Sequence, residues 1–214
     1  MNTNSKGRSR TLVITVVLVT VASALGMGFV LRGWWAARNA LPVFGSVPDF
    51  ALIERSGRVV RLSNLADMVW VVDFIFTRCQ GPCPIMTAGL AQLQRTVPPD
   101  AAVRWITITV DPDYDTPAVL TAYADRFSAS QDRWWFLTGK KEAIYGLATD
   151  GFHLGVRENP VEERLPSEGP FLHSTRLVLV DKLGRIRGYY DSEASEGLTR
   201  LQRDLGRLLG EKTS

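Results

Sequence analysis

The chain has two cysteines, Cys79 and Cys83, four positions apart. That spacing puts their Cα atoms about one helical turn apart, inside the range a disulfide tolerates. It also lets both thiolates face one soft ion. The pair lies in Phe74-Ile75-Phe76-Thr77-Arg78-Cys79-Gln80-Gly81-Pro82-Cys83-Pro84. Residues 68–76 are apolar, β-branched and aromatic except for Asp73, the pattern of a buried strand. Pro84 suits the first turn of a helix, and Met86, Leu90, Leu93 and Val97 follow at helical spacing. The sulfurs are therefore expected on a strand-to-helix turn. Backbone N–H groups and the positive dipole end there favour thiolate over thiol. A thiolate pair in that place binds a soft metal or cycles through a disulfide.

Two sulfurs seldom complete a metal site. Asp, Glu and Met are candidates for a third ligand, but imidazole suits copper and zinc well. The chain offers His153 and His173. His173 directly precedes an expected strand at 175–180, where a thioredoxin-like sheet would face it toward the cysteine turn; the plainer reading is a buried histidine hydrogen-bonded near a strand end. His153 follows Gly151-Phe152 at a helix exit and is read as structural, since no second ligand has evident spacing with it. Met86 could lend a thioether, but it belongs to the apolar stripe of its helix and is assigned to core. Asp111, Asp113 and Asp115 make a poor calcium loop, with Pro112 between the first two and neither the turn glycine nor a closing glutamate. Asp115 or Thr116 is instead expected to cap the next helix, with Pro117 in its first turn. Trp134-Trp135 could line a partner groove; core is the commoner fate.

These residues need a scaffold. Residues 49–62 read as a hairpin turning at Ser56-Gly57, and Pro98-Pro99 ends the cysteine helix. A strand follows at 103–110, then a helix with Leu120, Tyr123, Ala124 and Phe127 inward, a short strand at 134–137 and a short helix at 141–149. Residues 152–170 are polar and turn-rich, an inserted loop or hairpin near the site. After the 175–180 strand come the turn Asp181-Lys182-Leu183-Gly184, a strand at 185–190 and an amphipathic helix at 195–209. Strands alternating with helices indicate an α/β sheet covered on both faces.

Residues 11–31 carry no charge and would span roughly 31 Å as helix, enough for a bilayer core. Lys6, Arg8 and Arg10 precede them, Arg32 and Arg38 follow, and Trp34-Trp35 suit an interfacial belt. The expectation is an uncleaved anchor with the N-terminus inside, residues 1–40 forming this part and 41–214 an extracytoplasmic domain. A cleaved signal peptide is the competing reading, but the apolar stretch is longer than its usual core. The net charge of +3 arises in the membrane flanks: residues 41–214 hold 20 basic and 22 acidic residues, so nucleic-acid binding has no electrostatic support. One close cysteine pair constrains little of the unfolded chain, so a purely structural clip is weakly motivated.

Three stretches together resemble the Sco/SenC family: Phe76-Thr77-Arg78-Cys79-Gln80-Gly81-Pro82-Cys83-Pro84, then Asp111-Pro112-Asp113-Tyr114-Asp115-Thr116-Pro117, then His173-Ser174-Thr175. The resemblance runs from about residue 48 to 209. It implies a membrane-anchored, thioredoxin-like protein that helps mature the copper centre of cytochrome c oxidase. Carried over by position, Cys79, Cys83 and His173 would hold Cu(I) or Cu(II), and the cysteines could also act as a dithiol/disulfide couple. The family commonly has proline directly after the first cysteine; here Gln80 stands there and Pro82 lies two places on, which bears on the rigidity of the turn.

The leading expectation is a copper metallochaperone, taking copper from a donor protein and passing it to an oxidase subunit. The alternative is a thiol–disulfide oxidoreductase that keeps the oxidase copper-site cysteines reduced, starting from Cys79 with Cys83 resolving. Zinc is a less favoured occupant of a Cys₂His set. A peroxiredoxin-type peroxidase ranks third, because the threonine of Thr77-x-Cys79 is one residue too close.

Overall fold

The structure is a computed structural model that describes residues 40–159, 171–194 and 196–211, with scattered helical positions between 18 and 34. The chain divides into two compact units, Met1–Leu41 and Pro42–Ser214. The expected membrane span at 11–31 lies outside the described residues as far as 17 and is described only at scattered positions beyond. Among the described residues no helix is long and apolar enough to cross a membrane.

The second unit is built on an eight-stranded mixed sheet. Its strands are β1 (Gly45–Ser46), β2 (Ala51–Glu54), β3 (Val59–Arg61), β4 (Val69–Ile75), β5 (Val103–Thr109), β6 (Trp134–Thr138), β9 (Arg176–Val180) and β10 (Arg185–Asp191), in the order β1-β10-β9-β4-β5-β6-β2-β3. A separate two-stranded sheet pairs β7 (Val156–Glu158) with β8 (Phe171–His173). β4, β5 and β6 run parallel, and β9 is antiparallel to β4 with Trp70 opposite Val180 and Val72 opposite Val178. All seven residues of β4 are buried, as a strand covered on both faces requires. Burying each large apolar side chain there is worth about 1.5–3 kcal/mol, enough together to carry the one carboxylate, Asp73, along with them.

Helix α1 (Pro82–Thr96) follows β4. Pro82 opens it, where a missing N–H costs nothing, and it ends at Val97, just before Pro98-Pro99. Helices α2 (Pro117–Arg126) and α4 (Gly197–Gly210) share its side of the sheet: the Tyr123 hydroxyl meets that of Thr87 at 3.0 Å, and Leu198 lies against Gly89. On the opposite face, α3 (Lys141–Gly146) runs into a π-helical turn (Leu147–Gly151), and Phe152 then packs edge-on against Trp70 and Phe74.

Ahead of β2, Gly45–Ser46 pairs with β10 as an edge strand, because Phe44 and Val47 donate to the Ile186 and Gly184 carbonyls. Of the two expected caps of α2 it is Thr116 that serves, its hydroxyl accepting from the Val119 N–H. Asp115 does something else.

Candidate metal and thiol site

β4 ends at Ile75 and the chain turns back on itself, the Cys79 N–H donating to the Phe76 carbonyl at 3.1 Å. Both cysteines are free thiols; Cys83, in the first turn of α1, is 0% exposed, and Cys79 is partly exposed at the rim. Their side chains are hydrogen-bonded to each other. That bond, then burial, then the charge of the neighbouring sulfur and of Asp73 push the Cys83 thiol well above its ordinary value, and only a backbone hydrogen bond from Phe76 opposes them. The helix N-terminus therefore does not make two thiolates here. The pair is asymmetric, Cys83 being the sulfur whose surroundings favour the neutral form.

Beneath the pair lies a polar thread in an otherwise apolar core. The Thr87 hydroxyl donates to the Cys83 carbonyl at 2.9 Å and meets Tyr123. Asp73, fully buried, accepts from the Thr107 hydroxyl at 2.7 Å, and Thr107 in turn accepts from the Trp134 indole at 2.9 Å. An acid in the middle of an apolar strand was the sequence signal for this residue; nothing local told where it would point.

The loop after β5 grips the cysteine turn from the side. β4 and β5 are parallel neighbours with Ile75 opposite Thr109, so the chain leaves both strands at the same sheet end. Asp115, fully buried, accepts from the Thr77 N–H at 3.0 Å and from the hydroxyls of Thr77 and Thr109. Asp111 accepts from Arg78 Nη2 at 2.5 Å and Nε at 3.2 Å, and the Arg78 guanidinium lies 4.2 Å from the centroid of the Tyr114 ring. The acidic loop is thus neither a metal loop nor a set of caps. Spacing could not reveal this, because the contacts span 33 and 38 positions.

His173 closes β8, where its backbone pairs with Val156, three residues before β9 begins. Its side chain lies outside the described residues. Among the described residues no three His, Cys, Asp or Glu side chains are grouped to hold a metal ion. His153 stands exposed in the left-handed region (φ 53°), beside Gly45 and lining an open groove with Arg157, Ser174 and Arg176. Met86 is buried in the core, and so are Trp134 and Trp135, the latter flanked by the Arg58 and Arg104 guanidiniums. The donor set on hand, two thiols that touch with one at the surface, fits a soft monovalent cation.

A mixed sheet whose central strand hands two cysteines to the start of a helix defines a thioredoxin-like dithiol protein. The comparisons narrow the class. The SCO1/SenC family pattern matches residues 43–207. A SCO1 protein homolog from Bacillus subtilis (strain 168) is 32% identical over 152 residues, covering 70% of this chain and 76% of that one. A SCO1/SenC family lipoprotein from Bacillus anthracis superposes with a TM-score of 0.69 at 31% identity, covering 77% of this chain and 95% of the other. BsSco, a member of the Sco family of cytochrome c oxidase assembly proteins in which a disulfide switch was identified, gives 0.68 at 28%, covering 81% and 100%. The chain belongs to the SCO1/SenC family.

Proposed function

We propose that this protein is a copper metallochaperone for cytochrome c oxidase assembly, with copper as its cargo and a Cys79–Cys83 pair as the carrying group. The observation that carries the reading is the pair itself: two free sulfurs in hydrogen-bonding contact, one buried and one at the rim. Thiolates select Cu(I), and His173 is the third ligand of the proposal, able to serve either oxidation state. Two features support it. His173 lies three residues before β9, and β9 runs antiparallel to β4, so its first residue is at the end of the sheet where the cysteine turn leaves. Membership of the SCO1/SenC family points the same way.

When bound, copper would be held by the sulfurs and released by ligand exchange to a partner's thiols. Loading requires Cys83 to give up the proton that its surroundings hold, so uptake releases protons and weakens as pH falls. Cys79, being partly exposed while Cys83 is sealed, is the sulfur a partner reaches first. The partners of this reading are a copper donor protein and an oxidase subunit; an N-terminal anchor at residues 11–31, N-terminus inside, would hold the domain on the extracytoplasmic side.

The test is a titration of the reduced protein with Cu(I) and Cu(II), followed by absorption and EPR. One Cu(I) per chain is expected, and His173→Ala should weaken Cu(II) binding by tenfold or more while changing Cu(I) binding little. A reduced wild-type protein that takes up no copper ends the reading.

The asymmetry of the pair also favours a second activity, reduction of a partner's disulfide, since a partly exposed attacking sulfur over a buried resolving one suits that exchange. In that case His173→Ala leaves function intact and Cys79→Ser abolishes it.

A further inference from the structure

Between two of the three carboxylates of the 111–115 loop, Asp111 and Asp115, there is a division of labour that neither copper binding nor thiol exchange explains. Asp111, itself buried, pairs with an arginine whose side chain is about half exposed, so its charge has a cation open to solvent. Asp115 is fully buried, faces no cation within salt-bridge reach among the described residues, and accepts from the Thr77 N–H, the Thr77 hydroxyl and the Thr109 hydroxyl. Burial pushes its carboxyl up from the ordinary value, and the threonine hydrogen bonds pull the other way. An ionised carboxylate in such a place opposes folding unless every donor stays aimed at it. A link between two loops needs no such group, and the adjoining helix already has Thr116 as its cap.

We propose that Asp115 is a positioning residue for the thiol pair: by fixing both the N–H and the hydroxyl of Thr77, two positions before Cys79, it holds the Cys79 sulfur against Cys83. Cys83 is placed by its helix. Cys79 sits on an irregular turn with Gly81 after it, and its place is set by what grips the residues before it. Asp115 and Asp111 grip Thr77 and Arg78, the last two before the sulfur. The inference rests on the reading that Cys79 and Cys83 work as a pair.

Held rigidly, two thiols have a high effective concentration for each other, so the disulfide is favoured; a loosened turn lowers it and favours the dithiol. With oxidised glutathione as the oxidant, the Cys79 thiolate attacks one glutathione sulfur and releases the first glutathione thiol. Cys83 then loses its proton to solvent and attacks the Cys79 sulfur, releasing the second. Two electrons leave the protein, and one oxidised glutathione is reduced to two glutathione thiols.

The experiment measures, on the full chain in glutathione buffers of graded ratio, the fraction of Cys79–Cys83 disulfide by maleimide mass-tagging. Thr77→Val removes the hydroxyl and keeps the shape; Asp115→Asn replaces one acceptor with a donor; Thr77→Ser keeps both bonds. The expected result is a shift of the equilibrium toward dithiol by about tenfold in Thr77→Val and in Asp115→Asn, equivalent to about 30 mV for two electrons, with Thr77→Ser at the wild-type value. A purely structural link would lower the melting temperature and leave the equilibrium alone. If both variants stay within twofold of wild type, the positioning role is wrong; should Asp115→Asn fail to fold, Thr77→Val decides alone. If wild type itself forms no disulfide and takes up no Cu(I), the paired-thiol reading falls instead.

Discussion

Cys79 and Cys83 have the same chemistry and opposite surroundings, and surroundings decide which one reacts. Cys83 is sealed from solvent, shares a hydrogen bond with its neighbour and lies in the field of Asp73, all of which favour its neutral form. Its folded value lies above the ordinary thiol value of 9.0, so the proton stays on through neutral and mildly alkaline pH. Reduced protein treated with iodoacetamide between about pH 6 and 9 is expected to gain one label per chain, on Cys79. Peptide mapping that finds both sulfurs labelled at equal rates would contradict the asymmetry. In the proposed copper carrier the same field would oppose metal uptake, since a soft cation would have to displace the proton on Cys83.

At the scale of elements, the helices are fixed as much by small residues as by apolar stripes. Gly197 opens α4, and a Cβ there would stand 1.7 Å from the Asp191 carbonyl oxygen, a backbone atom that cannot swing aside. Gly197→Ala should therefore destabilise the domain by about 1–3 kcal/mol, the cost of overpacking, in urea unfolding. An unchanged midpoint would mean that α4 starts elsewhere. This glycine was invisible in the sequence, where 195–209 showed only its amphipathic repeat. The strands and helices themselves were legible: the apolar run became β4, the Ser56-Gly57 hairpin became β2 and β3, and Pro98-Pro99 ended α1 where its proline backbone required. What could not be read were contacts set by topology. Gly45–Ser46 joined the sheet because β10 had an open edge, and the acidic loop met the cysteine turn because β5 lies parallel to β4. The three-residue strands β7 and β8 flank residues 160–170, which lie outside the described ones, so the expected placement of that hairpin near the site stays a proposal.

Across the second unit as a whole, one buried arginine joins distant parts of the chain. Arg187 donates to the Pro42 carbonyl at 3.1 Å, to Asp181 at 2.8 Å and to Glu211 at 3.1 Å, tying together its first residues, the β9–β10 turn and the end of α4. Burial alone would push the Asp181 carboxyl up, but the Arg185 N–H, the Arg187 and Arg185 guanidiniums and the Leu183 N–H outweigh it and hold Asp181 below its ordinary 3.8. A carboxyl lowered by folding adds stability that is complete above the unfolded value and is lost as pH falls through the folded one. Stability should thus decline below about pH 3.8, and Asp181→Asn should flatten that decline in denaturant titrations at graded pH. Arg187→Met, which leaves Asp181 with Arg185 as its remaining guanidinium and takes a guanidinium from the half-exposed Glu211, should lower stability at neutral pH by about 1–3 kcal/mol. A variant as stable as wild type would show the junction to be dispensable.

The thread from Asp73 through Thr107 to Trp134 has an optical consequence. Trp134 is sealed in the interior and its indole N–H is joined by two hydrogen bonds to a carboxylate whose charge is felt at Cys83. Emission colour depends on the local field around an indole, so the Trp134 contribution to the emission spectrum is expected to differ between the dithiol and disulfide forms, an optical signal that needs no added dye.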